Sequence, residues 1–313
     1  MTRTRAQHPP GYLHGRLHTF AGQPLTLYTE FDVAEYTRNS RGRIPVDKAA
    51  VHLTGEARDD LAFLWRLDSA HLAETRALLA TWTGNEARIT AFVATWAFER
   101  LWLAHAARDL LTAPDGELPV PLGRRSLTAS LRALYVERGL PIAAPIWISI
   151  AGESVTAGHM ARLAVQEAAL QAAYLALLPR LDGEARRVVE EIARRRDDMI
   201  RFFRLEAAAR IARSPQEARM AKLHLRRGWR PLRVVGVADP DEQRALRSIF
   251  RTEEDRRRLS EADAPLRQLL AERPTRYVAA GCLPTGEPQK VARGAQRPTP
   301  GLLSRRGRRG IRP

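Results

Sequence analysis

Two long stretches of helical periodicity, each broken once by turn residues and held apart by a proline-rich segment, constrain this chain more than any other feature. From Ala57 to Thr81 the apolar residues Leu61, Leu64, Trp65, Leu67, Leu72, Leu78 and Leu79 recur at helical spacing, and Thr83-Gly84-Asn85 then supplies a break and an N-cap. Glu86 to Leu111 repeats the pattern with Ile89, Phe92, Val93, Trp96, Leu103, Leu110 and Leu111, until Pro114-Asp115-Gly116 ends it in a turn. A second pair follows, Ala157 to Leu181 and Glu184 to Ala212, divided at Leu181-Asp182-Gly183. Between the pairs, Pro119, Pro121, Pro141 and Pro145 surround one shorter helical stretch, Leu127 to Arg138, which suits a long crossover better than a tight hairpin.

Local preference points the same way. From about residue 57 onward Ala, Leu, Arg and Glu dominate, side chains that lose little rotamer freedom in a helix, so the chain is expected to be all-α. Two hairpins joined by one crossover match the connectivity of ferritin-like four-helix bundles, whose metal ligands project inward from facing helices. The expected organisation is an irregular arm over 1–55 that wraps the bundle, a helical domain over 56–272 and a disordered basic tail over 273–313. The helical domain includes two further helices, near 240–257 and 259–272.

Composition narrows the chemistry. Cys282 is the only cysteine, which excludes an intramolecular disulfide and a cysteine-built zinc site and fits a reducing compartment. No apolar run follows Arg3 and Arg5, and no uncharged stretch of about 18 residues occurs, so neither a signal peptide nor a membrane span is expected. The expected location is cytoplasmic. The net charge is +16, yet residues 273–313 hold ten Arg or Lys against one acid, Glu287, and so carry nine of those charges. Such a tail suits electrostatic contact with nucleic acid or another acidic partner, and Gly301-Leu302-Leu303-Ser304-Arg305 has the make-up of a short docking peptide.

A di-iron centre in a bundle of this kind draws carboxylates and two histidines from facing helices, usually with Glu-x-x-His on two of them. This chain has no Glu-x-x-His, and the nearest case is Asp68-x-x-His71. Residues that face each other across an antiparallel hairpin lie equidistant from its turn. A turn centred near Asp182 sets Glu167 opposite Arg196, with Met199 one helical turn further on. A turn centred near Gly84 sets Asp68 opposite Glu99 or Arg100. The expected inward set is Asp68, Glu99, Glu167 and Arg196.

Over roughly residues 57–230 the sequence resembles the acyl-carrier-protein desaturase family, soluble members of the ferritin-like superfamily. Val165-Gln166-Glu167-Ala168-Ala169-Leu170 resembles the family's Phe-Gln-Glu-Arg-Ala-Thr. Ile192-Ala193 through Phe202-Phe203-Arg204 resembles Ile-Ala-x-Asp-Glu-x-x-His-x-x-Phe-Tyr-Arg, with Arg196 at the ligand glutamate and Met199 at the histidine. The family's Trp-x-Ala-Glu-Glu-x-Arg-His fits two places. One runs from Trp82 to Ile89; the other sets the ligand glutamate at Glu99 and Trp102 at the histidine, and the hairpin geometry favours the second.

The resemblance implies oxygen-dependent insertion of a double bond into an acyl chain on acyl carrier protein, with electrons from ferredoxin. It makes Asp68, Glu99 and Glu167 vestigial metal positions, with Arg196 and Met199 replacing ligands. An arginine stays charged and has no lone pair for a metal, so no cofactor is expected in this register, and the chain is expected either to be a pseudoenzyme that binds acylated carrier protein or, with the site retained in another register, to keep the desaturase activity; the alternative is a helical scaffold or nucleic-acid-associated protein that makes its contact through the basic tail. Di-iron is expected only if Arg196 swings out and Asp68, His71, Glu99 and Glu167 form a residual site. Trp102 and Met199 then fill space left by imidazoles, and His105 is a packed residue. Expected partners are acyl carrier protein, a second copy of the chain and, through the tail, nucleic acid. Arg194, Arg195, Arg226 and Arg227 would assist docking to the acidic carrier, beside an apolar tunnel for its acyl chain.

Overall fold

The computed structural model describes residues 27–113, 116, 118, 152–225, 229–233, 237 and 239–270, and among these every regular element is a helix. The expected helix at 127–138, the basic tail, Cys282, Arg226 and Arg227 lie outside the described residues. In order the helices are α1 (Val33–Arg38), α2 (Gly55–Ser69), α3 (His71–Leu79), α4 (Ala87–Thr112) and α5 (Val155–Leu177). They continue with α6 (Gly183–Arg194), α7 (Arg196–Arg213), α8 (Pro215–His224), α9 (Asp239–Ile249), α10 (Glu253–Glu261) and α11 (Ala264–Leu269). Side-chain caps begin several of them: Asp32 for α1, Thr54 for α2, Ser214 ahead of Pro215 for α8, and a Thr252–Asp255 capping box for α10. The two helices expected near 240–257 and 259–272 are therefore three, because Thr252 starts a new one.

The two expected hairpins differ from a simple reading in that each contains a broken helix. The first expected helix divides at Ala70 into α2 and α3, and the last divides at Arg195 into α6 and α7. Neither break carries a glycine or proline. In both, a side chain from a neighbouring helix takes a carbonyl near the break: Arg100 Nη2 donates to Leu67 O at 3.2 Å, and Gln171 Nε2 to Ala193 O at 3.0 Å. Between α3 and α4, Gly84 is required by close approach, since a Cβ there would lie 2.4 Å from the carbonyl oxygen of Leu79. Gly183 opens α6 at φ +43°, a conformation that side-chain-bearing residues resist.

Contacts at the helix ends fix the directions. Arg58 donates to the Leu111 carbonyl, so α2 begins where α4 ends. Thr83, just before α4, meets Thr156 and His159 at the start of α5, while Arg180, just after α5, pairs with Asp60 near the start of α2. Helices α4 and α5 thus run the same way, and α4, at 26 residues, is about 39 Å long. Helix α5 packs on α7 and α8, α2 packs on α4 and touches α5, and α4 touches α6, so four helical lines enclose the core. Alanines at 157, 161, 164, 169 and 173, all buried, let the neighbours close on α5.

The described part of the arm contains α1 and a single 3-10 turn, Lys48–Ala50, and it crosses from α7 to α4 and α6 by polar contacts. Thr29 reaches Glu206, Arg41 pairs with Asp198, Arg43 with Asp109, and the Asp47 amide donates to Glu184. Beneath it Phe31, Tyr36, Phe92, Phe202 and Phe203 form one aromatic cluster.

At the end where α4 and α5 begin, His159 Nδ1 lies 2.8 Å from Thr83 Oγ1, and its ring stands edge-on to His224 at 5.2 Å. His224 in turn covers Gly158, where a Cβ would lie 2.6 Å from the imidazole. Burial, with His224 and Arg162 adding positive potential, lowers His159 to about 3; burial and Arg162 lower His224 to about 4. Above pH 6.5 both rings are neutral whether the chain is folded or not. Below it the unfolded chain gains protons that the folded chain refuses, so stability falls from there toward pH 4 and 3, by up to about 1.4 kcal/mol per pH unit for each ring. Urea midpoints measured between pH 7 and 5 are expected to fall less steeply for His224→Gln than for the natural chain; equal slopes would remove the pair from the acid response.

Candidate functional site

Each helical line contributes one charged side chain to the centre of the core. Asp68 comes from the end of α2, Arg100 from the middle of α4, Glu167 from the middle of α5 and Arg196 from the first position of α7, and all four are fully buried. Arg196 Nη2 donates to both Asp68 oxygens, at 2.5 and 2.7 Å, and its Nη1 donates to Glu167 Oε2 at 2.5 Å. Arg100 Nη2 reaches Asp68 Oδ1 at 3.2 Å, and its Nη1 lies 3.5 Å from Glu167 Oε1. Every charge in the quartet therefore faces two of opposite sign.

Neutral groups complete the set. Tyr174 donates its hydroxyl to Asp68 Oδ2 at 2.5 Å, and Trp96 Nε1 donates to Glu167 Oε1 at 3.0 Å. The two rings also face the cations, Tyr174 at 5.2 Å from the Arg196 guanidinium carbon and Trp96 at 5.1 Å from that of Arg100. At the rim Glu74, partly exposed on α3, accepts from Arg100 Nη1 at 2.6 Å and from Gln166.

The protonation states follow from this packing. Burial alone would raise Asp68, but Arg196, Arg100 and the Tyr174 hydrogen bond outweigh it and hold the carboxyl below its ordinary range. Burial would strip Arg196 of its proton, yet Asp68 and Glu167 push it above the usual arginine value. Arg100 is raised in the same way by Glu167, Glu74 and Asp68. Tyr174, buried against the Asp68 charge, is held far above its ordinary value and keeps its proton as a donor.

Three of the four residues expected to face inward meet here: Asp68, Glu167 and Arg196. Glu99 does not. It is buried on another side of α4, where it accepts the Tyr36 hydroxyl at 2.8 Å and the Arg41 amide at 2.7 Å. One residue of helix is about 100° of rotation, and that step turns Arg100 to the centre and Glu99 to the arm. Met199 is buried in the apolar core, whereas Trp102 is only half-buried, beside Phe98 and His105, and does not stand in the centre. His71 is buried with Nδ1 2.9 Å from the Asp68 carbonyl; its Nε2 has no partner, and burial lowers its pKa.

In the sequence Arg100 stands only as the alternative to Glu99, and Trp96, Tyr174, Glu74 and Gln166 went unrecognised as site residues. Helical spacing carries a signal for them, since Trp96 and Arg100 are four apart, Glu167 and Tyr174 seven apart, and Asp68, His71 and Glu74 at intervals of three.

The donor set does not fit a di-iron centre. Both carboxylates of the quartet are committed to guanidinium, phenol and indole donors, and among the described residues no three His, Cys, Asp or Glu side chains converge as metal ligands. The core has a second buried ion network near the start of α4, in which Arg210 meets Glu86 and Glu206 while Glu217 binds Arg213. On the outside, an open groove of about 350 Å³ is lined by Gln171, Asp197, Ile200, Arg201, Arg204 and Leu205. No protein-family profile matches the chain, and no curated protein or solved structure is significantly similar to it.

Removing one member of a buried, hydrogen-bonded ion set strands the others. Arg196→Met is expected to cost about 3–5 kcal/mol of stability, read as a fall in the urea midpoint, and adding Glu167→Gln is expected to recover part of it. A single variant as stable as the natural chain would show that the quartet contributes nothing to folding.

Proposed function

We propose that the chain is a ferritin-like four-helix bundle, a divergent and non-catalytic relative of the acyl-carrier-protein desaturases that binds acylated carrier protein in the cytoplasm. The observation that carries this reading is the Arg196 guanidinium, set between Asp68 and Glu167 at the meeting point of the four helical lines. There it supplies the positive charge that would otherwise fall to a metal, and it offers no redox chemistry. The shared direction of α4 and α5 is the one such a bundle's second and third helices have, and it supports that connectivity.

Two of the arginines expected to dock the carrier are otherwise engaged. Arg194 and Arg195 both bind Glu191, and Arg195 also donates to the Gly42 carbonyl. Arg201, exposed on α7 and 3.7 Å from Glu30, and Arg204, which donates to the Ala262 carbonyl, line the groove along α7 and are the positive groups offered there. No described helix is long and apolar enough to cross a membrane. The test has two parts. Protein produced with excess iron is expected to contain no stoichiometric iron and no iron–oxygen absorption, and stoichiometric iron would end the reading. Binding to acylated carrier protein is expected at low salt and to weaken steeply as salt rises; no binding at low salt would end the partner assignment.

A further inference from the structure

We infer that the centre is a receptor for a planar guanidinium-type cation, with the Arg196 side chain as its built-in occupant, and that it keeps this selectivity over metal ions when that side chain is cut away. The inference rests on the metal-free reading of the same site. Each carboxylate that Arg196 meets is also held by another group. Tyr174 and Arg100 fix Asp68 through Oδ2 and Oδ1, and Trp96 fixes Glu167 through Oε1. Both carboxylates therefore keep a partner when the Arg196 side chain is absent.

Three features set the class of cation. The acceptors form a fork, since Asp68 takes one nitrogen with both oxygens and Glu167 takes the other, which matches two amino groups on a flat frame. The Tyr174 ring lies 5.2 Å from the guanidinium carbon and offers a face to a flat cation. Arg100 remains after Arg196 is removed, so the three fully buried side chains left in the cradle, Asp68, Glu167 and Arg100, carry one net negative charge, which a monovalent cation neutralises; Glu74, which shares Arg100, stands at the partly exposed rim. A divalent ion would leave excess positive charge among these three side chains, which are shut off from solvent. A metal would have only Asp68 and Glu167 to draw on, since among the described residues no third His, Cys, Asp or Glu side chain converges with them as a ligand.

The full-length Arg196→Ala variant, unfolded in urea and refolded with ethylguanidinium, tests this, because ethylguanidinium replaces the atoms removed and refolding lets it enter a closed site. Ethylammonium, sodium and Mn²⁺ serve as separate arms at matched chloride. Ethylguanidinium at millimolar concentration is expected to raise the variant's urea midpoint progressively, as a ligand that binds only the folded state does, while the other cations and the natural chain show no such shift. If the variant does not fold alone, recovery of folded soluble protein is the readout, with the same order expected. Rescue by Mn²⁺ and not by ethylguanidinium overturns the inference in favour of a metal site. Rescue by none overturns it in favour of a packing role for the Arg196 stem. Stoichiometric iron in the natural chain would instead overturn the reading beneath it.

Discussion

Arg196 meeting Asp68 and Glu167 is the interaction on which the centre of this molecule depends. Taking an ion from water into a protein interior costs several kcal/mol even after relaxation, and four ions are taken here. The cost is offset because no charge relies on a single partner: each carboxylate has two guanidiniums within 3.5 Å and a neutral N–H or O–H donor as well. The proton equilibria agree. Burial opposes ionisation of Asp68, Arg100 and Arg196, and in each the opposite charges prevail. Within the quartet the atoms left without a hydrogen-bond partner are the Nε groups of Arg100 and Arg196.

The same guanidiniums reach beyond charge pairing into the main chain. Arg100 takes the Leu67 carbonyl next to the point where α2 gives way to α3, and His71 bonds the Asp68 carbonyl just beyond it. A cation at the carboxyl end of a helix also interacts favourably with its dipole. The break at Ala70 is thus a tertiary effect. It lets α3 turn, which places Glu74 where Arg100 can use it. At Arg195 the agent is Gln171, which also reaches Asp197, and the break delivers Arg196 at the first position of a new helix.

These effects explain what the sequence made legible. The helical character, the turn at Gly183 and the meeting of Glu167 with Arg196 all follow from local periodicity or from counting outward from a turn. The breaks at Ala70 and Arg195 do not, because no breaker residue marks them and their cause is a side chain distant in sequence. Glu99 failed for a related reason. The link between α3 and α4 is a 3-10 turn over Trp82–Asn85, tightened by Gly84, and a one-residue uncertainty in its centre exchanges Glu99 for Arg100. Both are buried, so burial alone does not separate them; the Tyr36 hydroxyl and the Arg41 amide, brought by the arm, do.

A core rich in alanine packs closely but distinguishes poorly between helix registers, since one small side chain replaces another when a helix slides. The quartet supplies the missing discrimination. Its members come from four separate helical lines, so a shift of any one line by a single residue rotates its charge by about 100° and strands the remaining three in a region without water. Glu167 lies among Ala164, Ala168 and Ala169 on α5, the helix with the most uniform buried surface. The ionic centre sits where apolar packing specifies register least, and polar residues buried at such positions have this as their best-attested use. The four lines need one arrangement, and the tethered charges of the quartet select it.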